Sequence, residues 1–383
     1  MNDLMQQLER SEGYLASDPD NNELLARVID LSLAAGDGER AVRHAQAALA
    51  RYPDDAFFLA RLGSAHLLRR EWAEAAAVLA PLLARHPDLN LAYNLAYACL
   101  WLGRHANAYA AMTPYLDAAE LSPPMVTLLV RALHHMGEGE RAIALADAHM
   151  AHCEQDAAFL AAASLVCFDA GRLEQAEQLS AAALALGAAA QHGRPQAQLE
   201  ALVTAGSLAL ARVDGDAAVA RFQQVLALNP DEGRSWSGLG TASLLKRDLP
   251  NAQQQLEQAV RYMPAHIGSW HLLGWSRLLA GQLDSARAAF QTALDLDRNF
   301  GDSHGGLAVV QAMQGQRELA EAGIERALGL DKESLSARYA QMVLAGETAD
   351  PQRFSKLAMR LLSSRQGAFG QNLGEIVKQH GAK

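Results

Sequence analysis

Between residues 199 and 334 the chain returns to the same pattern every 34 positions, and that recurrence constrains its fold more than any other feature. In the unit 233–266, Trp236, Leu239, Gly240, Ala252, Ala259 and Pro264 fall at positions 4, 7, 8, 20, 27 and 32. Unit 267–300 keeps the phase with Trp270, Leu273, Gly274, Ala286, Phe290 and Ala293. Unit 199–232 supplies Gly206, Ala218, Phe222 and Pro230, and unit 301–334 supplies Leu307, Ala308, Ala320 and Ala327. The first half carries a fainter copy. Gly36, Gly103, Gly137 and Gly171 recur at the turn and Ala41, Ala75, Ala108, Ala142 and Ala176 at position 20, but position 4 is Leu25, Leu59, Val126 and Leu160 rather than a large aromatic.

The composition suits such units. Hydrophobic residues make up 50% of the 383 and aromatics only 6%; alanine and leucine fill the gap, and both are strong helix formers. Period-2 alternation and β-branched runs are almost absent, so an all-α protein is expected. Each unit reads as two helices. Helix A carries apolar residues at i, i+3, i+4 and i+7 and ends at a glycine-bearing turn. A small residue at position 20 lets helix B approach closely, and proline at position 32 stops it. One pair cannot bury its apolar face alone, so stacked neighbours complete the core.

At these recurring residues the chain resembles the tetratricopeptide repeat family. The resemblance covers about 22–334 and implies a right-handed α-solenoid of about nine helix-turn-helix units between capping helices. The expected organisation is an N-terminal cap in 1–21, about five repeats in 22–190, an insertion at 191–198, four repeats in 199–334, capping helices in 335–365 and a tail in 366–383. The insertion, within AAAQHGRPQAQ at 188–198, reads as a hinge between blocks or as a longer loop with an extra turn of helix. Asp350 and Pro351 read as N-cap and first residue of the last capping helix. In the tail, Phe369, Leu373, Ile376 and Val377 share one helical face that Gly367, Gly370, Gly374 and Gly381 weaken. That segment docks on its own solenoid, meets a partner or stays loose.

Charge and motifs remove several function classes. The formal net charge is -10, and only five of the 33 cations are lysine, so no basic face for nucleic acid is expected. The N-terminus lacks the basic and apolar regions of a signal peptide, and the longest uncharged apolar run, about 157–168, is too short to span a bilayer. A cytoplasmic protein is expected. Cys99, Cys153 and Cys167 sit in apolar helical runs and read as small buried hydrophobes rather than a disulfide framework or zinc site. GDGERA at 36–41 and GEGERA at 137–142 mimic a dinucleotide fingerprint, as does GLGTAS at 238–243, but no strand precedes them and the repeat accounts for them. His134, His135, His149, His152 and Cys153 share one unit; neighbouring histidines diverge by about 100° on a helix, which argues against one metal ligand set. No nucleophile, metalloprotease or phosphate-loop motif is present, so no catalytic residue, cofactor or metal is assigned and the protein is read as a non-enzyme.

The resemblance also implies that positions 2, 5, 9 and 12 of helix A line a concave groove. Only six of the 36 residues at these positions are charged. Neither a lysine-rich carboxylate clamp nor an asparagine ladder is among them; Asn94 is isolated. The candidate groove residues are Tyr93, Tyr97, Arg131, Leu165, Phe168, Arg234, His271, Trp275 and Val309. For Tyr97, Phe168 and Trp275, groove contact and core packing are equally open; for Leu67, Leu100, Leu210, Leu244 and Leu278, core is favoured. An apolar and aromatic lining suits an apolar or amphipathic segment of a protein partner. The expectation is a non-catalytic scaffold, adaptor or chaperone-like holder, in a GC-rich bacterial source suggested by abundant alanine and arginine. The alternative is a regulatory or substrate-presenting subunit of a bacterial secretion, envelope or glycan-synthesis complex. Oligomeric state is not legible.

Overall fold

The computed structural model describes residues 2–116, 121–189, 195–364, 366–372, 374–375 and 378. After α1 (Asn2–Ser17), helices alternate as A and B: α2 (Asn22–Ala34) and α3 (Gly38–Arg51), α4 (Ala56–Leu68) and α5 (Trp72–Arg85), α6 (Leu89–Trp101) and α7 (His105–Met112), α8 (Pro123–His135) and α9 (Gly139–Cys153), α10 (Ala157–Asp169) and α11 (Leu173–Ala189). The series continues with α12 (Pro195–Ala211) and α13 (Gly215–Leu228), α14 (Gly233–Leu245) and α15 (Leu249–Tyr262), α16 (Ile267–Leu279) and α17 (Leu283–Leu296), α18 (Gly301–Met313) and α19 (Arg317–Leu330). It closes with α20 (Leu335–Leu344) and α21 (Pro351–Ser363). Among the described residues there is no strand, only an isolated bridge between Gln366 and Asn372. The fold is an all-α helical repeat of nine A/B pairs between capping helices.

The repeat is enforced at each A–B turn. Position 15 adopts a left-handed conformation in all nine units: Gly36, Gly103, Gly137, Gly171, Gly281 and Gly315, and without glycine at Arg70, Val213 and Arg247. The left-handed residue turns the chain out of helix A, and backbone N–H groups beyond it close on the last carbonyls, as Gly137 N–H does on His134 O and Glu138 N–H on Leu133 O. Acids at the following start caps helix B in several units, with Asp37, Asp214 and Asp248 accepting from Arg40, Ala217 and Asn251 N–H.

The chain divides into two compact units, Met1–Val166 and Cys167–Lys383, and the division falls inside α10 rather than at 191–198. In the first, α1 to α9 pack consecutively around a core that includes Leu8, Leu25, Ile29, Ala45 and Phe58. In the second, α11 to α19 pack in the same manner and α20 packs on both α18 and α19. Across the insertion, α11 and α12 run to 17 residues each, against 13 or 14 in α13 to α19. Residues 190–194 lie outside the described residues. Asp350 caps α21 by accepting from Gln352 and Arg353 N–H, with Pro351 as the first helical residue.

The tail departs from the helical expectation over 366–372. Gly367 N–H donates to Gln371 O (2.7 Å), Gly370 N–H donates to Gly367 O (2.9 Å), and Gly370 takes φ 74°. These glycines therefore make a turn. Leu373, Ile376 and Val377, the rest of the anticipated stripe, lie outside the described residues. Among the described residues no helix is long and apolar enough to cross a membrane.

Candidate partner-docking surfaces

In the first compact unit, helix A of the third repeat brings Tyr93 and Tyr97 one turn apart, with ring centroids 6.2 Å apart. Trp72, opening α5, meets Tyr97 edge-on at 5.9 Å and stacks on Trp101 at 5.5 Å with a 12° interplanar angle. Tyr97 also meets Trp101 at 6.3 Å. Tyr93, Tyr97 and Trp72 are half-buried and Trp101 keeps 44% of its surface exposed. Four rings thus share one patch. Only the two tyrosines stand at lining positions of the repeat; Trp101 and Trp72 stand at positions 13 and 17. An earlier A helix presents Phe57, 40% exposed, beneath the Arg61 guanidinium at 3.2 Å, while Asp30 holds that guanidinium at 2.8 and 3.2 Å. Arg131 and Leu165 are half-buried on their A helices.

In the second compact unit, Arg234 forms a two-pronged pair with Asp169 at 3.0 and 2.8 Å, next in sequence to half-buried Phe168. Burial disfavours the charged Arg234 guanidinium, but Asp169 together with Glu232 and Glu200 outweighs it and raises the pKa. Trp275 Nε1–H donates to His271 Nε2 at 3.0 Å. The neutral imidazole then carries its proton on Nδ1, 3.4 Å from Ser303 Oγ. Burial lowers the His271 pKa to about 4, against an opposing pull from Asp302. The Trp275 ring lies against Phe290 and Tyr339, each at 6.0 Å, and Tyr339 meets Phe354 at 5.9 Å. Ser269 Oγ donates to Ser237 Oγ at 3.1 Å and lies 2.8 Å from His266 Nδ1. This hydroxyl and imidazole ladder stitches successive A helices, with Ser269 and Ser303 fully buried between them.

Val309 does not line a groove. It is fully buried in the cluster of Leu278, Phe290, Ala337 and Ala340, because α20 packs on α18 where a further repeat would lie. Leu278 is core as expected, while Leu67, Leu100, Leu210 and Leu244 are half-buried. Cys99, Cys153 and Cys167 are buried free thiols, and burial raises the Cys99 and Cys153 pKa values. His135 stacks on His105 at 4.5 Å. Among the described residues no group of three or more His, Cys, Asp or Glu is arranged to hold a metal ion.

Nine A/B pairs with left-handed turns define a helical-repeat protein of the kind that presents a surface to other proteins. The tetratricopeptide repeat model matches residues 29–88, 203–266 and 271–340, about half of the sequence, and the chain belongs to that family. Its members are typically non-catalytic scaffolds. No curated protein matches the chain in sequence. Among solved structures, the APC/C hetero-tetramer Cut9-Hcn1 is similar with a TM-score of 0.60 and 14% identity over 86% of this chain. The match spans 64% of that chain, less than two thirds of its length. A monomeric IFIT1 mutant with Gppp-AAAA gives a TM-score of 0.55 at 15% identity over 94% of this chain and 86% of that one. MamA from Desulfovibrio magneticus RS-1 gives 0.38 at 24% identity, over 46% and 95%. The first two likenesses are of fold.

Proposed function

We propose that the protein is a non-catalytic scaffold or holder that docks an apolar or amphipathic segment of a protein partner on the A-helix face of its first compact unit. The observation that carries this reading is the patch of Trp72, Tyr93, Tyr97 and Trp101, with a pair of stacked tryptophans left half in water. Tryptophan and tyrosine dominate the energetics of protein interfaces, and such a patch on a soluble surface marks a contact site. In the second unit Trp275 is already engaged by His271, Phe290 and Tyr339, which leaves less of it for a ligand.

The test is selection of amphipathic peptides from a displayed library on the immobilised full chain, followed by titration into wild type and Trp101→Ala. A hot-spot truncation costs about 2 kcal/mol or more of binding. Binding should weaken at least correspondingly, while circular dichroism stays unchanged. Recovery of no binding peptide, or equal affinity for Trp101→Ala, would remove the reading.

A further inference from the structure

The tail turn at 366–372 is seated on the second compact unit, and its contacts make a built docking site. Gln371 Nε2–H donates to Ala211 O at 2.7 Å. Ala211 ends α12, where a carbonyl has no partner within the helix. The same Gln371 amide holds the turn itself, its Oε1 accepting from Phe369 N–H at 2.8 Å. A side chain at Gly367 would sit 2.7 Å from that amide, so the turn needs glycine there. The Arg212 guanidinium lies 4.5 Å from the Phe369 ring centroid. Its edges are taken by Glu177 at 2.7 and 2.5 Å, which leaves its planar face for the ring. Ala368 and Phe369 also wall a cleft of about 410 Å³ with the α10–α11 turn, Gly171 to Gln175. The base of the turn is tied to α21 by Asn372 Nδ2–H donating to Ser363 O at 2.8 Å.

We propose that this site, formed by the C-terminal end of α12 and the α10–α11 turn, is a peptide-docking site whose resident occupant is the chain's own Gln366–Asn372 turn. The turn is a strap in cis. It occupies the Arg212 face and the Ala211 carbonyl, and it excludes other segments that carry an aromatic, a glycine and a glutamine in the same order. This inference is independent of the first unit's aromatic patch. Loss of the one leaves the other standing.

The test uses a chain ending at residue 365 and a fluorescent synthetic peptide of residues 364–375. The truncated chain, checked for folding by circular dichroism, should bind the peptide saturably. The full chain should bind it at least tenfold more weakly, because its site is filled. A Phe369→Ala peptide, or Arg212→Ala in the truncated chain, should reduce binding at least tenfold. Absence of binding to a folded truncated chain, or equal binding to the full chain, overturns the proposal. Should truncation unfold the protein, hydrogen exchange on the full chain decides. Amides of 366–372 should exchange at least tenfold more slowly than in the free peptide, and Gln371→Ala should abolish that protection. Exchange at the free-peptide rate in the full chain overturns the proposal equally.

Discussion

In the second compact unit, over α12 to α19, position 8 of helix A is small and position 24 of helix B is large. Gly206 lies under Phe222, Gly240 under Leu256 and Gly274 under Phe290, with Ala308 and Ile324 in the same places. In the first, the bulk changes sides. Gly63 lies under Leu79 and Ala96 accompanies Met112, but Ile29 accompanies Ala45 and Val130 accompanies Ala146. Either arrangement fills the volume between the helices, which is what close packing demands. The units also latch differently. Trp236 and Trp270 donate their indole N–H to Pro230 O and Pro264 O at 2.8 Å, and His304 Nε2 lies 2.9 Å from Arg298 O. Their counterparts Leu25, Leu59 and Ala92 have no such donor, although side chains cap A helices in both units, Asn21, Asp55 and Asp88 in the first and Glu232 and His266 in the second. A repeat is therefore a geometry that several residue sets satisfy, and only one of those sets resembles the family strongly.

The largest expected effect breaks the fixed arrangement of the second unit. Phe290 is fully buried and wedged between Gly274 and Gly306, neither of which has a side chain able to collapse into a void. Phe290→Ala should cost about 3–5 kcal/mol, read as a fall in the guanidinium midpoint. Met112→Ala in the first unit should cost less, toward about 2 kcal/mol, because Ala96 at position 8 carries a methyl. Equal losses would show that the glycines do not set the penalty. Next is the latch. Trp270→Phe removes one donor and leaves Pro264 O to water, so about 1 kcal/mol should be lost, whereas Leu25→Phe has no hydrogen bond to lose.

A smaller effect comes from the turn. Val213 is a β-branched residue at φ 63°, where the other units have glycine or arginine. Val213→Gly relieves a strain of about 1–2 kcal/mol but adds unfolded-state freedom, so a net gain of about 1 kcal/mol or less is expected in the same midpoint assay. Gly281→Val should lose more than that, since it adds the strain. The pH response should be the gentlest. His271 has its pKa lowered from 6.5 to about 4 in the fold, so the unfolded chain binds its proton first as pH falls. The stability this group contributes is complete above about pH 6.5 and declines toward pH 4. His271→Gln should show a shallower loss of midpoint over that window. In the first unit, His44 and His66 instead sit beside Glu12 and Glu71, at 2.9 and 2.6 Å.

Much of the fold was legible from the 34-residue phase, because small residues at position 20 and turn glycines recur where helices must cross or reverse. The turns at Arg70, Val213 and Arg247 were not, since nothing local in those side chains announces a left-handed conformation; the neighbouring units impose it. In the tail, the spacing of Phe369 to Val377 suggests a helical stripe that the glycines weaken, and over 366–372 Gly367 and Gly370 make a turn that Gln371 completes. Of the side-chain clusters on the A helices, the members Tyr93, Tyr97, Arg234, His271 and Trp275 are readable from their positions in the repeat. Trp72, Trp101, Asp169 and Tyr339 are not, because they reach the same clusters from other positions or from the capping helix. Val309 was misplaced because the covering role of α20 is a tertiary fact.

The units differ last in what they leave exposed. The large hydrophobics exposed in the first include Tyr14, Tyr52, Phe57 and Trp101; in the second they are leucines and Met313. Docking on the first unit's aromatic patch is tested by calorimetric titration of the selected amphipathic peptide into wild type, Trp101→Ala and Leu279→Ala. At least tenfold weaker binding is expected for Trp101→Ala, with none of that loss for Leu279→Ala in the second unit. Unchanged affinity in Trp101→Ala together with loss in Leu279→Ala would contradict it.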